Sequence, residues 1–285
     1  MEETVMNLSE EITKEVFENF VPAAKTPERQ TSVFNRMGDF LTTAYNALVK
    51  QVIGEEFLEQ AEKDLAMKTE MLRHICISAF LSAVRSLDLV LTATGFGVVS
   101  TDSVVPASQQ RVDFLVESLK TQRLLAYSSM LDMLVRIEGW GESQLAKMII
   151  SNIFYRPRYV VYLTNIPLSE DSWQLCKARA QEAEAILRKE LSDEYIDHLL
   201  HAVRIDKVET EDMLIRDDCL TFIGSFLCLY DRTGGRYNHQ LIDSLVSRME
   251  KNVEKFPAYA NSALYAKRHA ERYKNKADDS SFFFI

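Results

Sequence analysis

Residues 72–88 read LRHICISAFLSAVRSLD, and residues 215–231, which begin 143 positions later, read IRDDCLTFIGSFLCLYD. In the first run Leu72, Ile75, Cys76, Ala79, Phe80, Ala83, Val84 and Leu87 recur at steps of three and four. That spacing makes one continuous apolar face of an α-helix. In the second run Ile215, Cys219, Phe222, Ile223, Phe226, Leu227 and Tyr230 take the matching places. Polar positions agree as well, with Arg73 paired to Arg216, Ser82 to Ser225 and Asp88 to Asp231.

The flanks repeat in the same order. IGEEFLEQ at Ile53–Gln60 matches LSDEYIDH at Leu191–His198 in chemical type, and VDFLV at Val112–Val116 matches IDSLV at Ile242–Val246. Amphipathic period alone would relate any two core helices, but ordered segments with shared polar identities point to a tandem duplication. The expected fold is therefore mainly all-α: two tandem pseudo-repeated three-helix units, with a small β-hairpin or short strands in the loops. Residues 28–137 form the first unit and 169–273 the second, flanked by an N-terminal helical extension (1–27) and a C-terminal tail (274–285). A helix near Leu8–Phe20 in the extension is expected to pack on the first unit. In the connecting segment (138–168), the β-formers Tyr159–Leu163 between Pro157 and Pro167 predict a short strand or extended linker. Ser169, followed by Glu170 and Asp171, is the expected cap of the next helix.

The two units differ most after the central helix. The first carries LTATGFGVVSTDSVVPASQQR there, against DRTGGRYNHQ in the second. Gly95 and Gly97 flank Phe96, and Val98 and Val99 face Val104 and Val105 across Ser100–Ser103, a pattern that closes a small hairpin before Pro106 and a capping Ser108. Loops are normally polar, so Gly95, Phe96, Gly97, Val98, Val99, Val104 and Val105 are candidates for contact with a neighbouring protein, the alternative being burial against their own core. The chain ends in Phe282, Phe283, Phe284 and Ile285 after a charged stretch. Leaving such side chains in water costs about 1.5–3 kcal/mol each, so this tip must dock, on its own domain or on another chain.

The 285 residues, 47% hydrophobic and 26% charged, describe a folded globular protein. The net charge of −9 disfavours direct nucleic-acid binding, where affinity comes from cations displacing counterions. Arg156 and Arg158 interleave with Tyr155 and Tyr159 as on nucleic-acid surfaces, a weak pattern in an acidic chain. Cys76, Cys176, Cys219 and Cys228 lack metal or redox spacing and read as buried apolar residues in a reducing compartment. No signal peptide and no apolar run of membrane-spanning length is present, so a cytoplasmic location without membrane partners is expected.

Chemical motifs are scarce. Glu194, His198 and His201 share one helical face, but the usual metalloprotease glutamate is missing and no third protein ligand is evident, so an exposed or capping arrangement is expected. Gly95-Phe96-Gly97 follows a helix and lacks both the full glycine spacing and the lysine of a phosphate loop. No nucleophile elbow or Walker loop occurs. The expectation is a non-enzyme with no catalytic residue, cofactor or metal.

One stretch, FLSAVRSLDLVLTATGFGVVSTDSVVPASQQRVDFLVESL, carries a family likeness in Leu91, Thr92, Thr94 to Ser100, Val105 to Ser108, Arg111 and Val112. It resembles an uncharacterised family of proteins encoded in bacteriophages and prophages of gut bacteria, among virion structural genes. The ending, an acidic run followed by Phe residues, is similar too. The resemblance implies a structural virion protein, a head–tail connector or neck adaptor that assembles with itself and with other virion proteins. Such adaptors form rings in which terminal arms or hairpins clip one subunit to the next. A helical scaffold or regulator without a virion role is the alternative, and a metal-dependent enzyme a lesser one.

Overall fold

In the computed structural model the described residues are 11–25, 32–84, 89–92, 95–98 and 108–270, with side chains outside the description at 89–98. The fold is all-α. It has thirteen α-helices and one two-stranded antiparallel sheet among the described residues.

α1 (Lys14–Phe20) starts where the Thr13 hydroxyl accepts the Val16 N–H. Its Phe17 is fully buried against Phe34 and Phe80, so the extension packs on the first half as expected. Residues 1–10, and so the expected start at Leu8, lie outside the described residues. α2 (Gly38–Leu48) runs into a π-helical turn at Val49–Ile53, which Gly54 ends at φ 90°. After it come α3 (Leu58–Lys63) and α4 (Leu65–Ala83). Asp64 separates these two and caps α4, accepting the N–H groups of Ala66 and Met67 at 2.8 and 3.2 Å. Most of the apolar face read from residues 72–83 is buried: Ile75, Cys76, Ala79, Phe80 and Ala83 reach solvent by 4% or less, and Leu72 is partly buried.

Two short strands follow, β1 (Leu89–Thr92) and β2 (Gly95–Val98), and then the long α5 (Gln109–Leu134). Ser108 stands at the N-cap of α5, although its side chain makes no capping bond. A hairpin is present, then, but its strands differ from the expected ones. Val98 pairs with Leu89 and Gly95 with Thr92. The element ahead of Gly95 is a strand where a helix was expected, because Leu89, Val90, Leu91 and Thr92 favour extended backbone over continuing α4. Val99, Val104 and Val105 lie outside the described residues.

The connecting segment is helical, which corrects the strand expected at Tyr159–Leu163. α6 (Gln144–Ile149) is capped by Ser143, and α7 (Arg158–Leu163) follows Pro157, whose φ of −52° presets the helical conformation. Burial of Val160 and ring contacts among Phe154, Tyr155 and Tyr159 outweigh local β preference. Ser169 caps α8 (Glu170–Leu191) as expected, in a reciprocal box with Ser172. The second half continues through α9 (Asp193–Arg204), α10 (Thr210–Thr233) and α11 (His239–Lys251), ending in α12 (Pro257–Ala260) and α13 (Ala263–Arg268).

A residue at positive φ stands between α2 and α3 (Gly54) and between α8 and α9 (Ser192). The halves share a single contiguous core running from Ile12 to Tyr259. Bolts at the junction are specific. The fully buried Trp140 donates its indole N–H to the Ile53 carbonyl at 2.9 Å. Buried Glu184 on α8 accepts the Ile153 N–H at 2.8 Å, and burial raises its pKa. Asn152 donates to the Ala180 carbonyl at 3.2 Å. Gly141 and Gly224 carry no Cβ because Arg204 and Leu163 backbone atoms occupy that space.

Candidate functional site

The hairpin joins the C-terminal end of α4 to the N-terminal end of α5. Four residues on each side pair in register, and the sheet has only these two strands among the described residues. Both outer edges therefore lack a strand partner there. An edge presents a row of backbone donors and acceptors, and an isolated two-stranded ribbon is marginal in water. Gly95, Phe96, Gly97 and Val98 belong to β2. Phe282, Phe283, Phe284 and Ile285, the other expected contact residues, lie outside the described residues. Near the same end of the α4–α5 pair Phe114 is 78% exposed, on a helix whose Val116 lines a small pocket with Val84 of the α4 end.

A second feature was not singled out by sequence reasoning. A cleft of about 730 Å³ lies between α2, α4, α5 and the first turns of α8. Its α4 wall is formed by His74, Ser78 and Ser82, four residues apart and hence stacked on one helix face. Desolvation, reinforced by the charge of Arg123, lowers the His74 pKa to about 3. The imidazole is therefore neutral at physiological pH. Its Nδ1 is buried without a hydrogen-bond partner, as is the Ser78 hydroxyl. Tyr127, raised to about 12 by burial, keeps its phenol protonated on the α5 wall. Arg123 pairs with Glu170 across the cleft, and burial lowers its pKa. A polar stripe at i, i+4 and i+8 beside the buried apolar face of α4 was the available signal.

The residues weighed for a metal are dispersed among separate partners. Glu194 accepts the Ala263 N–H at 3.3 Å, His198 Nε2 lies 2.8 Å from Asp212, and His201 Nε2 lies 2.7 Å from Glu142. Asp212 is buried and also accepts the Tyr195 hydroxyl at 2.7 Å. Burial and that bond both raise the Tyr195 pKa. No group of three or more potential metal ligands occurs among the described residues. The basic–aromatic cluster is an internal latch. Arg156 lies over the rings of Tyr155 (4.9 Å) and Tyr159 (5.7 Å) and binds Asp132 at 2.8 Å, while Arg158 donates to Ser129 at 2.9 Å. The four cysteines are free, and Cys76, Cys176 and Cys219 are buried. No helix among the described residues is long and apolar enough to cross a membrane.

A family model described as a family of unknown function (DUF6712) matches residues 33–147, which take in α2 to α5, the hairpin and the start of the connecting segment. No curated protein and no solved structure matches the chain.

Proposed function

We propose that the chain is a structural assembly protein, a phage or prophage head–tail connector or neck adaptor, which works through contacts with copies of itself and with other virion proteins and not by catalysis. The observation that carries this reading is the two-stranded hairpin between α4 and α5, whose outer edges have no strand partner among the described residues. Its short strands gain most by accepting a third strand from a neighbour, since backbone pairing then satisfies donors and acceptors that water alone would otherwise serve. Phe114, exposed near the root, adds an apolar contact. The tail Phe282–Ile285 is the second contact element in this reading.

The test is replacement of residues 89–98 by a short Gly-Ser linker, with deletion of residues 280–285 as a second variant. Each is co-expressed with the products of the neighbouring genes and imaged by electron microscopy. The expected result is unchanged helical circular dichroism with loss of assembled rings or necks. Normal particles from both variants, or neighbouring genes that encode no virion components, would overturn the proposal.

A further inference from the structure

The hairpin between α4 and α5 is two-faced. Residues directly opposite in an antiparallel pair share a face, and faces alternate along each strand. The register Leu89↔Val98 and Leu91↔Phe96 therefore gives one face to Leu89, Leu91, Phe96 and Val98. The other face takes Val90, Thr92, Gly95 and Gly97. One face is wholly apolar in residue type, and the other sets glycines opposite Val90 and Thr92.

Strand edges left to water are normally blunted by charged residues, by proline or by a bulge. Neither strand carries a charged residue or a proline, and the four-residue pairing runs without a bulge. Among the described residues each strand's main backbone neighbour is the other, with no helix in comparable contact. Charge narrows the choice of occupant. The chain has a net charge of −9, so copies of it repel wherever charged surfaces meet. The uncharged ribbon is a place where two copies can touch without that cost.

Geometry narrows it further. β1 and β2 are antiparallel and equal in length, so β1 of a second copy laid beside β2 continues the same alternation flush. That register keeps the apolar residues of both copies on one continuous face, whereas a slip of one residue would set apolar positions in line with glycines. Joining unlike edges leaves a free edge at each end, and such a contact extends into a ring or filament instead of stopping at a dimer.

We propose that the occupant of the hairpin edge is a second copy of this chain, with β1 of one copy pairing antiparallel to β2 of the next in one continuous sheet. This rests on the assembly reading above and adds to it the partner and the pairing geometry.

The experiment co-expresses two differently tagged full chains, one with Leu89→Cys and the other with Val98→Cys. Both carry Cys228→Ser, which removes the one native cysteine that is not buried. Each chain holds only one member of the pair, so any join is between chains. Opposite residues have Cβ atoms about 4.5–5.5 Å apart, and dibromobimane joins only adjacent thiols. Like residues of neighbouring copies stand two strands apart, at about 9.5 Å. The expected result is a covalent heterodimer from the mixture and no homodimer from either variant alone, with helical circular dichroism unchanged. Leu91→Cys with Phe96→Cys, the other pair of that face, should repeat it and carries the test if a first variant misfolds. No heterodimer from either pair, or a homodimer from a single variant, would overturn the proposal. The two readings fail separately. A heterodimer from a chain whose neighbouring genes encode no virion component keeps the pairing and removes the virion role, and hairpin-dependent particles without a heterodimer do the reverse.

Discussion

Replacing His74 by Leu should flatten the acid sensitivity of the fold. The imidazole sits inside the cleft with no partner on Nδ1, so protonating it in the folded chain would place a charge near Arg123 and away from water. Its folded pKa of about 3 lies below the ordinary value of about 6.5 that it regains on unfolding. The unfolded state therefore takes up this proton first as pH falls. The stabilisation held by the neutral form is complete above about pH 6.5, declines by about 1.4 kcal/mol per pH unit below it, and is gone once pH has fallen through the folded pKa. Between pH 7 and pH 4 the wild-type chain should lose about 3 kcal/mol more than His74→Leu, an order-of-magnitude figure. Carboxylates such as Glu184 contribute to both proteins and cancel in the difference. Urea unfolding followed by circular dichroism, repeated across this range, gives the two curves. Parallel pH profiles, or a His74 ring proton that titrates near pH 6.5 in the folded protein, would refute the reasoning.

Two further outcomes concern the junction and the second half. Gly141→Ala should destabilise the fold by about 2 kcal/mol or more, since the added Cβ collides with the Arg204 carbonyl oxygen and stands 2.9 Å from Ile205 Cγ2; an unchanged urea midpoint would show that the junction yields. Ser192 holds φ 81° and ψ 153° while its hydroxyl accepts the Tyr195 N–H at 3.1 Å. Ser192→Ala loses that cap and keeps the strain, whereas Ser192→Gly loses the cap and removes the strain, so Gly should exceed Ala in stability by about 1–3 kcal/mol. Equal melting temperatures would count against strain at this position.

What the sequence made legible follows from where local and tertiary preferences agree. Ile75, Cys76, Ala79 and Phe80, or Ile215, Cys219, Phe222 and Ile223, announce a helix and its buried face together, and all are buried. Ser169 before two acids announces a cap. Tyr159–Leu163 misleads because the β-formers there sit one turn after a proline and under ring contacts that only the folded chain supplies. The strand at Leu89–Thr92 was hidden because its apolar residues continue the pattern of α4 without a break. The cleft escaped notice for a different reason. His74, Ser78 and Ser82 are polar residues at helical spacing, which read as a solvated face until α8 is laid across them. Nothing in the local sequence says that residues about 100 positions later complete that wall.

The duplication proposed from the sequence makes a demand on backbone geometry. IGEEF and LSDEY place Gly54 and Ser192 at the same step, and both adopt the same unusual conformation, φ 90° with ψ 134° and φ 81° with ψ 153°. Glycine enters that region freely, while a serine there is strained. Ser192 is buried at positive φ and its hydroxyl caps the next helix. Two copies of one helical design are a proposal from the sequence, and this pair of turns is one place where it can be examined. On that reading the β1–β2 excursion is an addition to the first copy, since α10 reaches α11 across residues 234–238 alone. An element added to one copy and absent from the other is dispensable for the shared packing. Such an element is free to serve contacts outside the chain, and this dispensability is what makes its removal a clean test of assembly rather than of folding.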